Sequence, residues 1–327
     1  MKIVFMGTPA LAVPTLEALR EEHEIALVVT QPDKPAGRSS KPAPSPLKAY
    51  ALEHGLAVAQ PERARSEEFI DKLRHVAPDA IAVVAYGQIL PRAILDLPPR
   101  GCVNLHYSLL PRWRGAAPVQ HALLAGDTVT GVTTQWMAEK LDSGNVILQR
   151  ETPIQPDETT GDLWRRLTPM GAEVLRETMR LLEHGTAPRV PQDESRVTLA
   201  PSLKKEDGFI DWQGNAISIV NRVRGTNPWP GAWCEFRGGS LKIWRARIAN
   251  EVDANEVDAN EVDANEVDAV ISDACGCVVA IENEGIVVAA RGGAVTLLEV
   301  QAEGRPRMAA ADWARGARLQ LGRALSA

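Results

Sequence analysis

Asn104-Leu-His-Tyr-Ser-Leu-Leu-Pro-Arg-Trp-Arg-Gly-Ala-Ala-Pro118 is the stretch that decides how this chain is read. It follows an apolar run through Cys102 and Val103, which places Asn104 and His106 at the end of a buried strand. Residues two apart on a strand share a face. The amide of Asn104 and the imidazole of His106 therefore project together, while Val103, Leu105 and Tyr107 turn the other way. From Ser108 to Pro118 the chain leaves the sheet as a stiff loop with two prolines, two arginines and a tryptophan. Polar groups on one face at the carboxyl end of a strand are where an open α/β sheet carries its chemistry.

On both sides of this stretch, apolar runs alternate with helical spacing. Strands are expected at 2–6, 25–30, 56–59, 79–86, 102–106, 131–137 and 146–151. Helices are expected at 11–22, 46–54, 66–75 (capped by Ser66), 119–124 and 160–183. The run Asp79–Tyr86 is nearly all apolar, as a central parallel strand covered on both faces requires. The fold class is α/β, a Rossmann-like open and mostly parallel sheet over 1–185. Gly7 alone does not make the G-x-G-x-x-G of dinucleotide-binding proteins.

Two segments break the rhythm. Residues 31–46 contain five prolines, with Lys34, Arg38 and Lys41 against one nearby acid, Asp33, so helix and central strand are excluded. This is either a solvated tether or a basic finger reaching for phosphate. Residues 186–203, with Pro188, Pro191 and Pro201, read as a linker. Beyond them, short β segments at 210–212, 232–237, 241–246, 278–281, 286–290 and 295–300, with one helix at 216–224, predict a small OB-like β-barrel over 204–327.

The formal charge of −6 over 327 residues argues against a nucleic-acid partner only at first sight. Residues 250–269 repeat Asn-Glu-Val-Asp-Ala four times and carry eight acids and no base, so the chain without them stands at +2. The repeat suits neither helix nor strand and is read as a solvated loop insertion. The four cysteines, Cys102, Cys234, Cys275 and Cys277, form no C-x-x-C pair, which fits a reducing, cytoplasmic location and no metal site. The N-terminal apolar run is interrupted by Pro9 and Pro14 and reads as a first strand entering a helix rather than a signal peptide. No apolar stretch approaches a membrane span.

A third polar group, Asp142, stands in Leu-Asp-Ser-Gly after another strand, and converging strand ends would bring it to His106. Together Asn, His and Asp suit acyl transfer to an amine without a covalent intermediate. Asn104 would donate to the developing oxyanion, His106 would assist or shuttle a proton, and Asp142 would orient the imidazole and help deprotonate the amine.

These residues resemble the 10-formyltetrahydrofolate-dependent formyltransferases. The string S-L-L-P-R-W-R-G-A-A-P, the Q-P-D-K-P-A-G-R loop, V-V-A-Y-G-Q-I-L-P, K-K-E-D-G-F-I-D-W and N-P-W-P-G-A-W narrow the resemblance to the methionyl-tRNA formyltransferase family. It covers nearly the whole chain outside the repeat. The resemblance implies catalytic Asn104, His106 and Asp142, a folate co-substrate against Ser108, Leu109, Leu110 and Pro111, and no metal. It further implies that the loop with Arg38 and Lys41 grips the acceptor end of initiator methionyl-tRNA. The C-terminal domain would contact tRNA phosphates through basic residues, among which Lys204, Lys205, Arg222 and Arg224 are candidates. A monomer is expected. Two positions depart from the family pattern: Tyr107, where a small residue or proline is usual, and Ser39-Ser40, where lysine is frequent. Glycinamide ribonucleotide formyltransferases and formyltetrahydrofolate hydrolases would share the trio but not the barrel or the basic loop. Another alternative is a tRNA-binding module whose catalytic domain has decayed, and the intact trio speaks against it. Deleting 250–269 is expected to leave formyl transfer unchanged, and a collapse of the C-terminal domain on thermal melting would contradict the insertion reading.

Overall fold

The computed structural model describes residues 1–35, 42–249 and 275–325. They fall into two compact units. The first comprises Met1–Pro118, Val129–Pro153 and Trp164–Ser202, and the second Val119–Thr128, Ile154–Leu163 and Leu203–Ala327.

The first unit is built on a seven-stranded sheet in the order β5-β2-β1-β6-β7-β8-β9. These strands are β1 (Lys2–Gly7), β2 (Glu24–Val29), β5 (Val58–Ala59), β6 (Ala80–Val84), β7 (Cys102–His106), β8 (Val129–Trp136) and β9 (Val146–Pro153). β5 through β7 run parallel, whereas β8 and β9 are antiparallel to their neighbours. The continuous apolar runs of β1 and β6 are buried nearly throughout, because helices cover both faces of the parallel part. Those helices are α1 (Val13–Arg20), α2 (Pro46–Glu53), α3 (Glu67–Val76), α4 (Arg92–Leu95) and most of α6 (Thr160–His184). In α3 the buried residues Phe69, Ile70 and Leu73 recur at helical spacing and pack into the core. The Ser66 side chain makes no cap there; Ser45 instead caps α2, accepting from the Lys48 N–H at 3.1 Å.

Strand β6, expected to run to Tyr86, stops at Val84. Ala85 is left-handed (φ 49°) and Gly87 follows at φ 85°, so the chain swings out of the sheet at its carboxyl edge. The flanks of the basic loop form a two-residue ribbon, β3 (Lys34–Pro35) with β4 (Pro42–Ala43). Its base is fixed by the Asp33–Lys48 ion pair at 2.6 Å and by Gln60 donating to Asp33 at 2.7 Å.

The second unit carries α5 (Pro118–Leu124, from Val119 onward), α7 (Ala216–Thr226), α8 (Ala310–Ala317) and an antiparallel sheet. Its strand path is β10 (Ala232–Phe236), β11 (Gly239–Ile248), β14 (Gly293–Ala302), β13 (Ile286–Ala290) and β12 (Val278–Ile281), with β15 (Met308–Ala309) beside β14. Trp212, Ile219, Val223, Ile243, Val288, Leu297 and Trp313 share one core. The expected strand at 210–212 does not form. Ile210 makes a single ladder-like bond to the Trp233 carbonyl, at 2.8 Å, and Gln213 enters a turn closed by the Asp211 carboxylate. Helix α8 was not anticipated, although its buried residues Ala310, Ala311, Trp313 and Ala314 recur at helical spacing. The repeat at 250–269 lies outside the described residues. Among the described residues, no helix is long and apolar enough to cross a membrane.

Candidate active site

Asn104 and His106 stand two apart on β7, and their ladder partners on β8 are Gln135 and Thr133. Strand pleating thus puts Asn104, His106 and Gln135 on one face. Tyr107 turns to the opposite face, where its hydroxyl reaches the Leu11 carbonyl at 3.5 Å and its ring lies near Gly171. Burial pushes the Tyr107 phenol well above its ordinary range, so it stays neutral.

His106 is 5% exposed, and its Nε2 lies 2.8 Å from the main-chain oxygen of Trp113. A carbonyl only accepts, so Nε2 carries the hydrogen and donates it. The opposite ring nitrogen, Nδ1, faces Asp142, 3.7 Å from Oδ2. That separation is longer than a hydrogen bond.

Asp142 reaches this position by a route other than converging strand ends. β8 runs antiparallel to β7, so its carboxyl end lies beside the start of β7, with Val103 opposite Trp136. The loop 137–145 then turns back to the level of His106. Asp142 sits in it at φ 49°, a left-handed conformation that Asp and Asn tolerate better than most residues. Its nearly buried carboxylate is satisfied by two donors: the Gly115 N–H to Oδ2 at 2.9 Å and Gln135 Nε2 to Oδ1 at 3.0 Å. Neither donor was singled out from sequence. Both glycines flanking this arrangement are required by close backbone approach. A Cβ on Gly144 would lie 1.7 Å from the Trp136 oxygen, and one on Gly115 would lie 2.4 Å from the Ala200 oxygen.

Asn104 is partly exposed to a cavity of about 530 Å³, and among the described residues its amide has no hydrogen-bond partner. His106 and Asp142 line the same cavity. Its walls come from the end of β7, from Gly115, Ala116 and Pro118, and from two loops, 85–90 after β6 and 137–142 after β8, in which Ile89 (77% exposed) and Leu141 (62%) present apolar surface. An apolar cleft with a few convergent polar groups is the usual form of a small-ligand site.

The formyl transferase family matches residues 1–179, and its C-terminal domain matches residues 202–318. The methionyl-tRNA formyltransferase of Solibacter usitatus is 48% identical over 320 residues, covering 98% of this chain and 96% of that protein. That of Moorella thermoacetica is 47% identical over 317 residues, covering 97% and 96%. The chain belongs to the methionyl-tRNA formyltransferase family. Two solved structures share its fold at low identity. A sugar 3N-formyl transferase has a TM-score of 0.65 at 15% identity, covering 94% of this chain and 99% of its own. HypX from Aquifex aeolicus, in complex with tetrahydrofolic acid, has a TM-score of 0.61 at 18% identity, covering 96% of this chain and 47% of its own.

Ser108, Leu109, Leu110 and Pro111 do not line the cavity. The Ser108 hydroxyl donates to the Arg112 carbonyl at 2.7 Å, while Leu110 is tied by its N–H to Thr133 Oγ1 at 3.1 Å and by its carbonyl to Gln149 at 2.8 Å. This bend shapes the loop that carries Trp113 and brings Gly115, Ala116 and Pro118 to the cavity, beside 85–90 and 137–142. Arg38 and Lys41 lie outside the described residues. Lys204 and Lys205 are exposed, and Arg222 donates to the Asp207 carbonyl at 2.9 Å.

Arg224, another candidate phosphate contact, is engaged by acceptors of the second unit. Its Nε and Nη2 donate to the carbonyls of Glu158 and Gln155 at 2.9 and 3.0 Å, and its Nη1 to Asn221 at 3.3 Å. Burial lowers its pKa from the ordinary arginine value, with Asp157 and Glu158 opposing the shift. Arg224 therefore pins the 155–158 segment within the second unit. Arg224→Ala is expected to cost about 1–3 kcal/mol, because it strands those acceptors, and to lower the melting temperature. An unchanged melting temperature with weaker, less salt-sensitive tRNA binding would instead return Arg224 to the phosphate-facing set.

Proposed function

We propose that this chain transfers the formyl group of 10-formyltetrahydrofolate to the α-amino group of methionine on initiator methionyl-tRNA. The observation that carries the reading is His106, pinned through Nε2 by the Trp113 carbonyl so that Nδ1 faces the Asp142 carboxylate, with both residues and Asn104 lining one cavity. The cleft suits a folate carrier. Ile89 and Leu141 offer apolar contact to a flat ring system, and the unpartnered Asn104 amide is a donor waiting for an acceptor.

In the reaction the methionine nitrogen attacks the formyl carbon, and the carbonyl oxygen takes the negative charge. Asn104 Nδ2 and a protonated His106 Nδ1 are the donors placed to stabilise it. The new C–N bond forms as the bond to the carrier nitrogen breaks. The proton released by the attacking amine passes to that leaving nitrogen, with Asp142 as the acceptor that handles it on the way. The amine itself is the nucleophile, so no serine or cysteine is needed.

The acceptor strand of the tRNA is assigned to the basic loop with Arg38 and Lys41, whose stem is held by the Asp33–Lys48–Gln60 cluster. The tRNA body is assigned to residues 204–327, with Lys204, Lys205 and Arg222 as phosphate contacts that position without reading sequence. Residues 1–185 would carry the chemistry and 186–203 would join the two.

Asp142→Asn keeps both side-chain acceptor and shape at the Gly115 contact but removes the charge opposite His106. It is expected to fold and to lower kcat for methionyl-tRNA formylation by about 10²–10⁴-fold. Near-normal turnover in a steady-state assay with 10-formyltetrahydrofolate and charged initiator tRNA would remove Asp142 from the reaction. Formate released without any tRNA acceptor would point to a hydrolase.

A further inference from the structure

Asp142 is held from behind by residues far along the chain. The segment after α6 returns across the catalytic loop: the Arg114 N–H donates to Thr198 O at 2.9 Å, Ala200 N–H to Arg114 O at 2.8 Å, and Ala117 N–H to Ala200 O at 3.1 Å. This path carries Gln192 and Glu194 to Arg114, which is 3% exposed. Glu194 Oε1 accepts from Arg114 Nη2 at 2.7 Å, and Gln192 Oε1 accepts from Nε at 3.1 Å and from Nη2 at 2.9 Å.

The direction of every subsequent bond is forced. Arginine has five donors and no acceptor, so the Gln192 carbonyl must face it. An amide orientation that shape alone leaves open is thereby fixed. Gln192 Nε2 then points at three acceptors: the main-chain oxygens of Asp142 (2.9 Å) and Gly144 (2.7 Å), and Gln135 Oε1 (3.3 Å). Because the carbonyl of Gln135 is turned to Gln192, its own NH₂ is left for Asp142 Oδ1. A relay of determined donor and acceptor roles thus runs from Glu194 through Arg114, Gln192 and Gln135 to the carboxylate opposite His106.

We infer that Gln192 is a positioning residue for Asp142, acting through Gln135 and the backbone of 142–144 in the formyl transfer proposed above, on which this inference rests. Gln192 does not line the cavity. Its effect is to hold the left-handed Asp142 turn by its carbonyls and to dictate which end of Gln135 meets the carboxylate.

Gln192→Ala would leave the buried Arg114 short of acceptors and confound folding with function. Gln192→Glu avoids this, because a carboxylate of the same length still accepts from Arg114. It has no N–H for the Asp142 and Gly144 carbonyls, and it draws the NH₂ of Gln135 to itself, turning the Gln135 carbonyl toward Asp142. The test is steady-state formylation of charged initiator tRNA by the full chain, with thermal melting alongside. Gln192→Glu is expected to stay folded, with a melting temperature lowered by the two carbonyls that lose their donor, and to lose about tenfold or more in kcat, with KM for both substrates held within about twofold. In the Asp142→Asn background the same change should cost less than about twofold, because the group it positions is already lost. An unchanged kcat, a loss confined to KM, or losses that multiply in the double variant would overturn the inference. Should Gln192→Glu unfold, Gln135→Met leaves the partners of Arg114 in place and must show the same kcat loss and the same lack of additivity; full activity in that variant would overturn it. A parent chain that formylates no charged tRNA would indict the functional reading and leave the relay untouched.

Discussion

The hydrogen bond from His106 Nε2 to the Trp113 carbonyl is the constraint on which the rest of the site depends. It joins the end of a buried strand to the loop that leaves it, and it settles which edge of the imidazole is available. With Nε2 committed, only Nδ1 can meet a proton or a substrate atom, and Nδ1 is the edge that faces Asp142. A ring free to turn would put the wrong nitrogen in the cleft much of the time. The carbonyl that prevents this belongs to Trp113, itself fixed by its N–H to Thr198 Oγ1 at 2.8 Å.

The sheet serves this constraint by changing direction. Up to β7 the strands are parallel, and their carboxyl ends would form the usual edge. Two antiparallel strands then follow, and the loop between them can turn back toward His106 because Gly144 lets the chain pass against the Trp136 carbonyl. Gly115 performs the matching service in the catalytic loop, coming close to the Ala200 carbonyl while its N–H reaches Asp142. Two backbone approaches that admit no side chain thus bring a strand-borne imidazole and a loop-borne carboxylate together. The buried carboxylate is stabilised by fixed donors instead of water, a preorganised arrangement of the kind that favours charge development during reaction.

Much of this was legible in the sequence wherever periodicity carries information. The unbroken apolar runs of β1 and β6, the long spacing of α6, and the two-residue offset between Asn104 and His106 all follow from local rules. Recognition of the family came from the long string after His106. What local rules could not supply were the partners brought in by tertiary structure. Gln135 lies on a strand that reads as β from Val and Thr, with nothing to mark it as a donor to Asp142. Gln192 sits in a proline-rich segment that reads as a linker, because its role comes from a backbone ladder to residues about eighty positions earlier. A basic residue shows the same limit. Arg224 has the composition of a phosphate contact, but its surroundings are three acceptors within its own unit. Charge on a side chain is visible in sequence, whereas its burial is not.

The most direct test of this account is the tautomer of His106. In the full chain labelled with ¹⁵N-histidine, with a His106→Gln variant to assign its signals, the account predicts that the hydrogen of the neutral ring sits on Nε2, leaving Nδ1 as the position that takes up the second proton. A neutral ring protonated on Nδ1 would mean that Trp113 does not hold it, and would contradict the account.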